Sequence, residues 1–460
     1  MKSPLSNSLR FIPATLCLGV CLLANNAPAA NQYFDVNDAA AGYGVVNGGS
    51  YSWDDPNWAA ATGGTTATAN WEAGNFARFN GGVSGNAYTV TVNADESMAG
   101  LYNTVAGVTM TINAAGAGTL DVVSGDQGFL AHGPVIINAP ISGAGAVAPQ
   151  DSSNLYLYGN NTYSGGTAFG YFGAPLTFFN NNNSFGSGAI RLLGTAANFQ
   201  ALLSTGGSTI TLANGFVNST TGTGLNFASA ANTPVISTGG WSLGANTLNL
   251  RNNGDSTAPL TISGVISGAG NLNVSANNLG TIKLTGANTY TGTTTVSLGS
   301  GSTGVRLMLA AANTIASSSS VIMAGGTLDP DGFHHVMSST TLGLAANSVI
   351  DYTSGAAELD FGNSSGVAWT VGKTLNLVST GGGNWNLSSD YLEVGTDGTG
   401  LTVAQLAQIE FNGGDLGAAG ITSTGYIYDT AQVVPEPSTV LLGLLGGLGV
   451  MSNIRRRRTA

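Results

Sequence analysis

An eleven-residue block occurs twice in this chain. Val135-Ile136-Ile137-Asn138-Ala139-Pro140-Ile141-Ser142-Gly143-Ala144-Gly145 returns, 125 positions later, as Leu260-Thr261-Ile262-Ser263-Gly264-Val265-Ile266-Ser267-Gly268-Ala269-Gly270. A second block follows each copy: Leu157 to Thr167, containing Asn161-Thr162-Tyr163-Ser164-Gly165-Gly166-Thr167, pairs with Leu284 to Thr294, containing Asn288-Thr289-Tyr290-Thr291-Gly292-Thr293-Thr294, at an offset of 127. Such spacing calls for an architecture that stacks one local unit many times.

The unit is made of strands. Short alternating runs at Thr89–Val92, Thr109–Ile112, Thr209–Leu212, Thr247–Leu250 and Thr374–Val378 are separated by Gly, Asn and Ser, the pattern of half-buried strands between tight turns. Helical periodicity is confined to Val403–Gln408 outside the two termini. Glycine supplies 69 of 460 residues without a collagen-like period, about twice the usual share. The expectation is an all-β fold, an elongated right-handed parallel β-helix with inward Ile, Val and Leu and outward Thr and Asn ladders. At roughly 20 to 25 residues per coil the copies would stand five or six coils apart. A sandwich, or a string of sandwiches, is the competing fold.

The Asn288–Thr294 stretch, preceded by Ile266-Ser267-Gly268-Ala269-Gly270-Asn271-Leu272, resembles the autotransporter-associated β-strand repeat (PATR), with Asn161–Thr167 as the second copy. The resemblance is strong over these copies and weak over the region 115–330. It implies a parallel β-helix. An autotransporter would carry an outer-membrane barrel after this region, whereas a much shorter tail follows here, so self-export through a barrel is not expected.

That tail is Pro435-Glu436-Pro437, then the uncharged 17-residue run Ser438–Ile454, then Arg455, Arg456, Arg457 and Arg458. The run is at the short end of what crosses a hydrocarbon core about 30 Å thick as a helix. The arginines would lie on the cytoplasmic side. The arrangement resembles the PEP-CTERM sorting signal of Gram-negative bacteria, which implies recognition by an exosortase, with Pro435, Glu436 and Pro437 as recognition elements. At the other end, Lys2 and Arg10 precede the apolar Phe11–Leu23 and the small residues Ala27-Pro28-Ala29, which read as a leader for signal peptidase. Both cysteines, Cys17 and Cys21, fall inside it. The exported chain would then have no disulfide, thiolate metal site or cysteine nucleophile.

The expected organisation is a signal peptide at 1–29, an N-terminal cap and first coils at 30–114, the PATR-containing solenoid at 115–330, C-terminal coils and cap at 331–430, and the sorting tail at 431–460 with a transmembrane helix at 438–454. Residues 31–434 hold six basic and 22 acidic side chains, a net charge of about −16, which argues against nucleic acid as a partner. No Gly-x-Ser-x-Gly elbow, Walker A sequence or His-Glu-x-x-His occurs. Gly299 to Gly304 matches Gly-x-Gly-x-x-Gly, but Val305–Leu309 after it reads as strand rather than as a phosphate-binding helix. Asp329-Pro330-Asp331-Gly332-Phe333-His334-His335 reads as a turn; it lacks the later ligands of a calcium loop, and neighbouring histidines on a strand face opposite ways. His132 stands alone.

Glycosidase chemistry needs two carboxylates about 5 to 9.5 Å apart. Asp54/Asp55 and Asp95/Glu96 are strand neighbours facing opposite ways; Glu358 and Asp360 share a face, and Asp121 with Asp126 could meet across coils. The expectation is no catalytic residue, no metal and no cofactor.

Trp53, Trp58 and Trp71 cluster near the start. They are candidate glycan contacts, since indoles stack on sugar faces; the competing reading makes them an N-terminal cap over the open first coil. Gly383–Trp385, Asp390–Leu392 and Gly400–Phe411 resemble the closing segment of PATR-containing PEP-CTERM proteins and are expected to form the C-terminal cap. The function expected is a non-enzymatic surface or matrix protein, anchored in the inner membrane before processing and then at the cell surface or in the matrix, associated with exopolysaccharide. An adhesin or glycan-binding β-helix, and a polysaccharide-degrading β-helix enzyme, are the alternatives.

Overall fold

The computed structural model describes residues 29–432 apart from short internal stretches, of which 380–389 is the longest. The leader at 1–28 and the residues from 433 on, which carry Pro435–Pro437, the expected span 438–454 and the four arginines, lie outside the described residues. So do 383–385 of the expected closing segment.

The chain forms a parallel β-solenoid of about 11 turns with almost no helix. Its regularity is that of the pleat. In a strand such as Leu260–Ile262 the outer residues are buried and Thr261 is half-exposed, because successive Cβ atoms point to opposite faces. One inward column runs Ile210, Val235, Leu260, Ile282, Leu307, Leu328, Ile350, Leu377. Its shortest step is Leu307 to Leu328 and its longest Ile350 to Leu377, so coil length varies while the inward position is kept. The column adds one aliphatic side chain per turn to a single hydrophobic cluster that reaches from Phe34 to Ile427. A sandwich is set aside by this pairing: among the described strands, antiparallel ladders occur only at the two ends, in Asn31–Phe34 with Trp58–Ala59 and Thr68–Ala69, and in Ala419–Ile421 with Ile427–Asp429.

Five ladder steps from Val135, through Leu155, Thr177, Leu202 and Phe227, arrive at Asn252. Leu260 lies one strand further on, in a different sheet, so the second copy of the repeated block is turned by one face of the solenoid. Both copies nevertheless build the same kind of corner. Asn161 is buried, accepts the Ile141 N–H at 2.8 Å and donates to the Ser184 carbonyl at 2.7 Å. Asn288 accepts the Ile266 N–H at 2.8 Å and donates to the Thr314 carbonyl at 2.6 Å. One side chain thus joins the coil before to the coil after, at a bend where the backbone ladder breaks and buried groups need other partners. The following tyrosine fills the corner: Tyr163 and Tyr290 are fully buried, with their hydroxyls 2.6 and 2.5 Å from Thr167 and Thr294. Glycine follows because the preceding coil passes close; a Cβ on Gly292 would sit 2.2 Å from the Gly270 carbonyl oxygen.

Outward polar ladders exist in places. Asn273 donates to Asn249 at 2.9 Å and accepts from Ser297 at 3.1 Å. Elsewhere Tyr156, Phe178, Ile236 and Met308 take outward positions, so the exterior is less uniformly polar than expected.

Both ends are covered. At the start, Phe34, Trp53, Trp58, Trp71 and Phe79 pack ring against ring with centroids 4.5 to 5.7 Å apart. At the end, the helix Val403–Leu406 carries a reciprocal capping box between Thr402 and Gln405, and the Gln405 amide donates to the carbonyls of Ser364 and Val367.

Candidate functional site

The tryptophan group is a structural element. Trp53 and Trp58 are 0% and 1% exposed, Trp58 donating to the Trp53 carbonyl at 2.8 Å; Trp71 is half-buried and donates to Ser97. At 0% and 1% exposure Trp53 and Trp58 reach no sugar, and of the two readings their burial supports the cap. A partly exposed aromatic patch lies elsewhere. Tyr156 stacks on Phe178 one coil on, 4.3 Å apart and nearly parallel, with Tyr158 edge-on at 5.6 Å. Beside it runs a shallow cleft of about 490 Å³ lined by Tyr158, Asn160, Asn180–Asn183 and Ser208–Ile210.

The expected turn at Asp329–His335 is present. Asp331 and Gly332 adopt φ of 52° and 77°, and the Asp331 N–H is held by Asp329 at 2.8 Å. Asp329 is occupied by Arg306, which also reaches Asp351 at 2.6 Å. His335 faces inward and its burial lowers its pKa. His334 faces out, as alternation requires. His132 is not alone: its Nε2 lies 2.9 Å from Asp151.

The carboxylates divide into two settings. Near the start, Glu96 and Asp54 share a hydrogen bond, and burial together with the charges of Asp54 and Asp95 pushes the Glu96 carboxyl up to about 7. Groups in hydrogen-bond contact are closer than the roughly 5 Å a glycosidase pair needs. Asp121 accepts from Ser142, and Asp126 is bonded to Arg191.

Near the C-terminal end a denser group forms on the three-stranded sheet His334–Met337, Glu358–Phe361 and Tyr391–Val394. Register places His334 beside Glu358, and Asp360 beside Glu393. Period-two alternation turns all four outward. His334 Nε2 lies 2.8 Å from Asp360 Oδ2 and 3.4 Å from Glu358 Oε2, and one donor atom from each of the three residues falls within 4.8 Å of the others. The Asp360 hydrogen bond holds the His334 imidazole above its ordinary pKa, while burial and the charge of Asp360 raise Glu393. The C-terminal hairpin supplies a wall: the Tyr426 hydroxyl donates to Glu358 at 3.0 Å, and its ring meets Tyr391 edge-on at 5.5 Å.

Sequence alone identifies Glu358 and Asp360 as sharing a face. It names His334 only within the Asp329–His335 turn, because the partner strand belongs to the next coil and only the ladder register brings His334 and Glu358 together. The chain matches no family model, no curated protein and no solved structure.

Proposed function

We propose that this is an exported, non-enzymatic surface or matrix protein, delivered by the leader and sorted through its Pro435-Glu436-Pro437 tail by an exosortase. The observation that carries the reading is the order of the tail itself: Pro-Glu-Pro, an uncharged 17-residue run, then four arginines. Proline on both sides of Glu436 fixes an extended segment that a processing enzyme can thread. The run would hold the chain in the inner membrane until cleavage, and the surface or extracellular matrix of a Gram-negative cell would be its destination. A capped solenoid suits this role, since its length supplies surface without an active site. Right-handed coiling belongs to the same reading, because parallel strand crossovers overwhelmingly take that hand.

The experiment replaces Pro435, Glu436 and Pro437 by alanine and measures the intact mass of the protein recovered from the envelope. Processing near Pro437 removes the apolar run and the four arginines from the wild-type chain and nothing from the variant; loss of the tail from both chains, or from neither, would refute the sorting role.

A second reading, a glycan-binding solenoid, is favoured by the Tyr156–Phe178 stack and the asparagine-lined cleft beside it. Rings meet the apolar faces of sugars and amides their hydroxyls, and exopolysaccharide is the partner this chemistry fits. Binding on a glycan array that falls in Tyr156→Ala would support it, and binding unchanged by that substitution would count against it.

A further inference from the structure

We propose that His334, Glu358 and Asp360 bind a divalent transition-series cation, such as zinc or manganese, that ties the last coils to the C-terminal cap. The donors are one imidazole nitrogen and two carboxylates, a mixed set that suits such ions and is poorly matched to calcium, which prefers oxygen alone. Zinc holds nitrogen and oxygen ligands at about 2.0 to 2.2 Å, so its ligands stand roughly 3 to 3.6 Å from one another. The donor atoms, 2.8, 3.4 and at most 4.8 Å apart, need only small side-chain rotations to meet that shape.

Three further observations point the same way. First, Asp360 Oδ1 is buried and has no hydrogen-bond partner among the described residues, although its Oδ2 has His334. A buried carboxylate oxygen without a donor is costly, and a cation removes that cost. Second, Glu358, Asp360 and Glu393 stand together on adjacent strands, and no Lys or Arg pairs with any of them among the described residues. His334 supplies at most one positive charge against the three. Third, the donors come from different turns of the solenoid, and Glu358 also receives the Tyr426 hydroxyl from the cap hairpin. The hydroxyl fixes the Glu358 carboxylate from its far side, as partners behind metal ligands do. A cation here would cross-link strands of successive coils and the hairpin behind them. Glu393 or water would complete its coordination.

Calorimetric titration of the purified full-length chain, freed of metal with a chelator, tests this with Zn²⁺ and with Ca²⁺ as the contrast. One zinc equivalent at micromolar or tighter affinity is expected, with little response to calcium and a rise in the unfolding temperature. His334→Gln and Asp360→Asn should each weaken zinc at least tenfold and abolish that rise. Both side chains face outward on formed strands, and an unchanged far-ultraviolet dichroism spectrum confirms that the variants fold. Zinc affinity weaker than about 1 mM, calcium preferred over zinc, or affinity unaltered in both variants would each overturn the assignment.

Discussion

Asn288 is the position at which the repeat can be tested most directly. Its amide accepts the Ile266 N–H on one side and donates to the Thr314 carbonyl on the other, and it is 7% exposed. Asn288→Ala removes both bonds while leaving both backbone groups in place. Each buried polar group stranded in this way costs about 1 to 3 kcal/mol, so the pair predicts a loss of roughly 2 to 6 kcal/mol. A solenoid distributes its stability over nearest-neighbour contacts, so the loss should be local before it is global. Amide hydrogen exchange read by mass spectrometry should show faster opening in the peptides holding Ile266 and Thr314, while those near Phe34 keep their wild-type rates. Denaturant unfolding of the same samples gives the total. Asn161→Ala, with the same two bonds to Ile141 and Ser184, should reproduce the effect in the earlier copy. A loss below about 0.5 kcal/mol at both sites, with exchange unchanged, would mean that water replaces the amide and that the corner does not depend on it.

Other consequences can be checked in parallel. Gly264→Ala places a Cβ 1.9 Å from the Gly239 carbonyl oxygen, a backbone atom that cannot swing away; thermal unfolding should show a loss of at least about 1 to 3 kcal/mol, comparable to overpacking a core. Trp58→Ala empties the centre of the N-terminal aromatic group and should cost about 3 to 5 kcal/mol; light scattering should also reveal association as the first coil loses its cover. Glu96 has a folded pKa of about 7, above its unfolded value, so its contribution to stability is complete below the unfolded pKa and is lost as pH rises through about 7. Glu96→Gln should remove that decline between pH 5 and 8, as read by unfolding midpoints across the range, and a decline of wild-type size in the variant would contradict the assignment.

Much of the fold was legible because period-two alternation is a local signal. Thr109–Ile112 and Thr374–Val378 coincide with strands at Thr109–Ala114 and Leu375–Val378, and the helical run from Val403 is a helix through Leu406. The Asn-Thr-Tyr segments were visible as a repeat, yet their role was not, since it depends on which backbone groups the adjacent coils leave open. The tryptophans show the limit from the other side: composition cannot separate an aromatic cap from a binding platform, and burial decides it. His334 is the plainest case. It lies next to a turn in sequence and beside Glu358 in space, and only the pairing of strands from successive coils makes the second neighbour real.

The asparagine corner also bears on how such a chain changes length. Each bracket makes its two side-chain bonds to backbone groups of the adjoining coils, and neither bond depends on which side chains those coils carry. Brackets in two copies that sit a face apart therefore have the same geometry, and a block of coils duplicated or deleted between them would present the same N–H and carbonyl to the next Asn. Gene duplication can then set the reach of the molecule, and the covers at its two ends need not be redesigned when it changes.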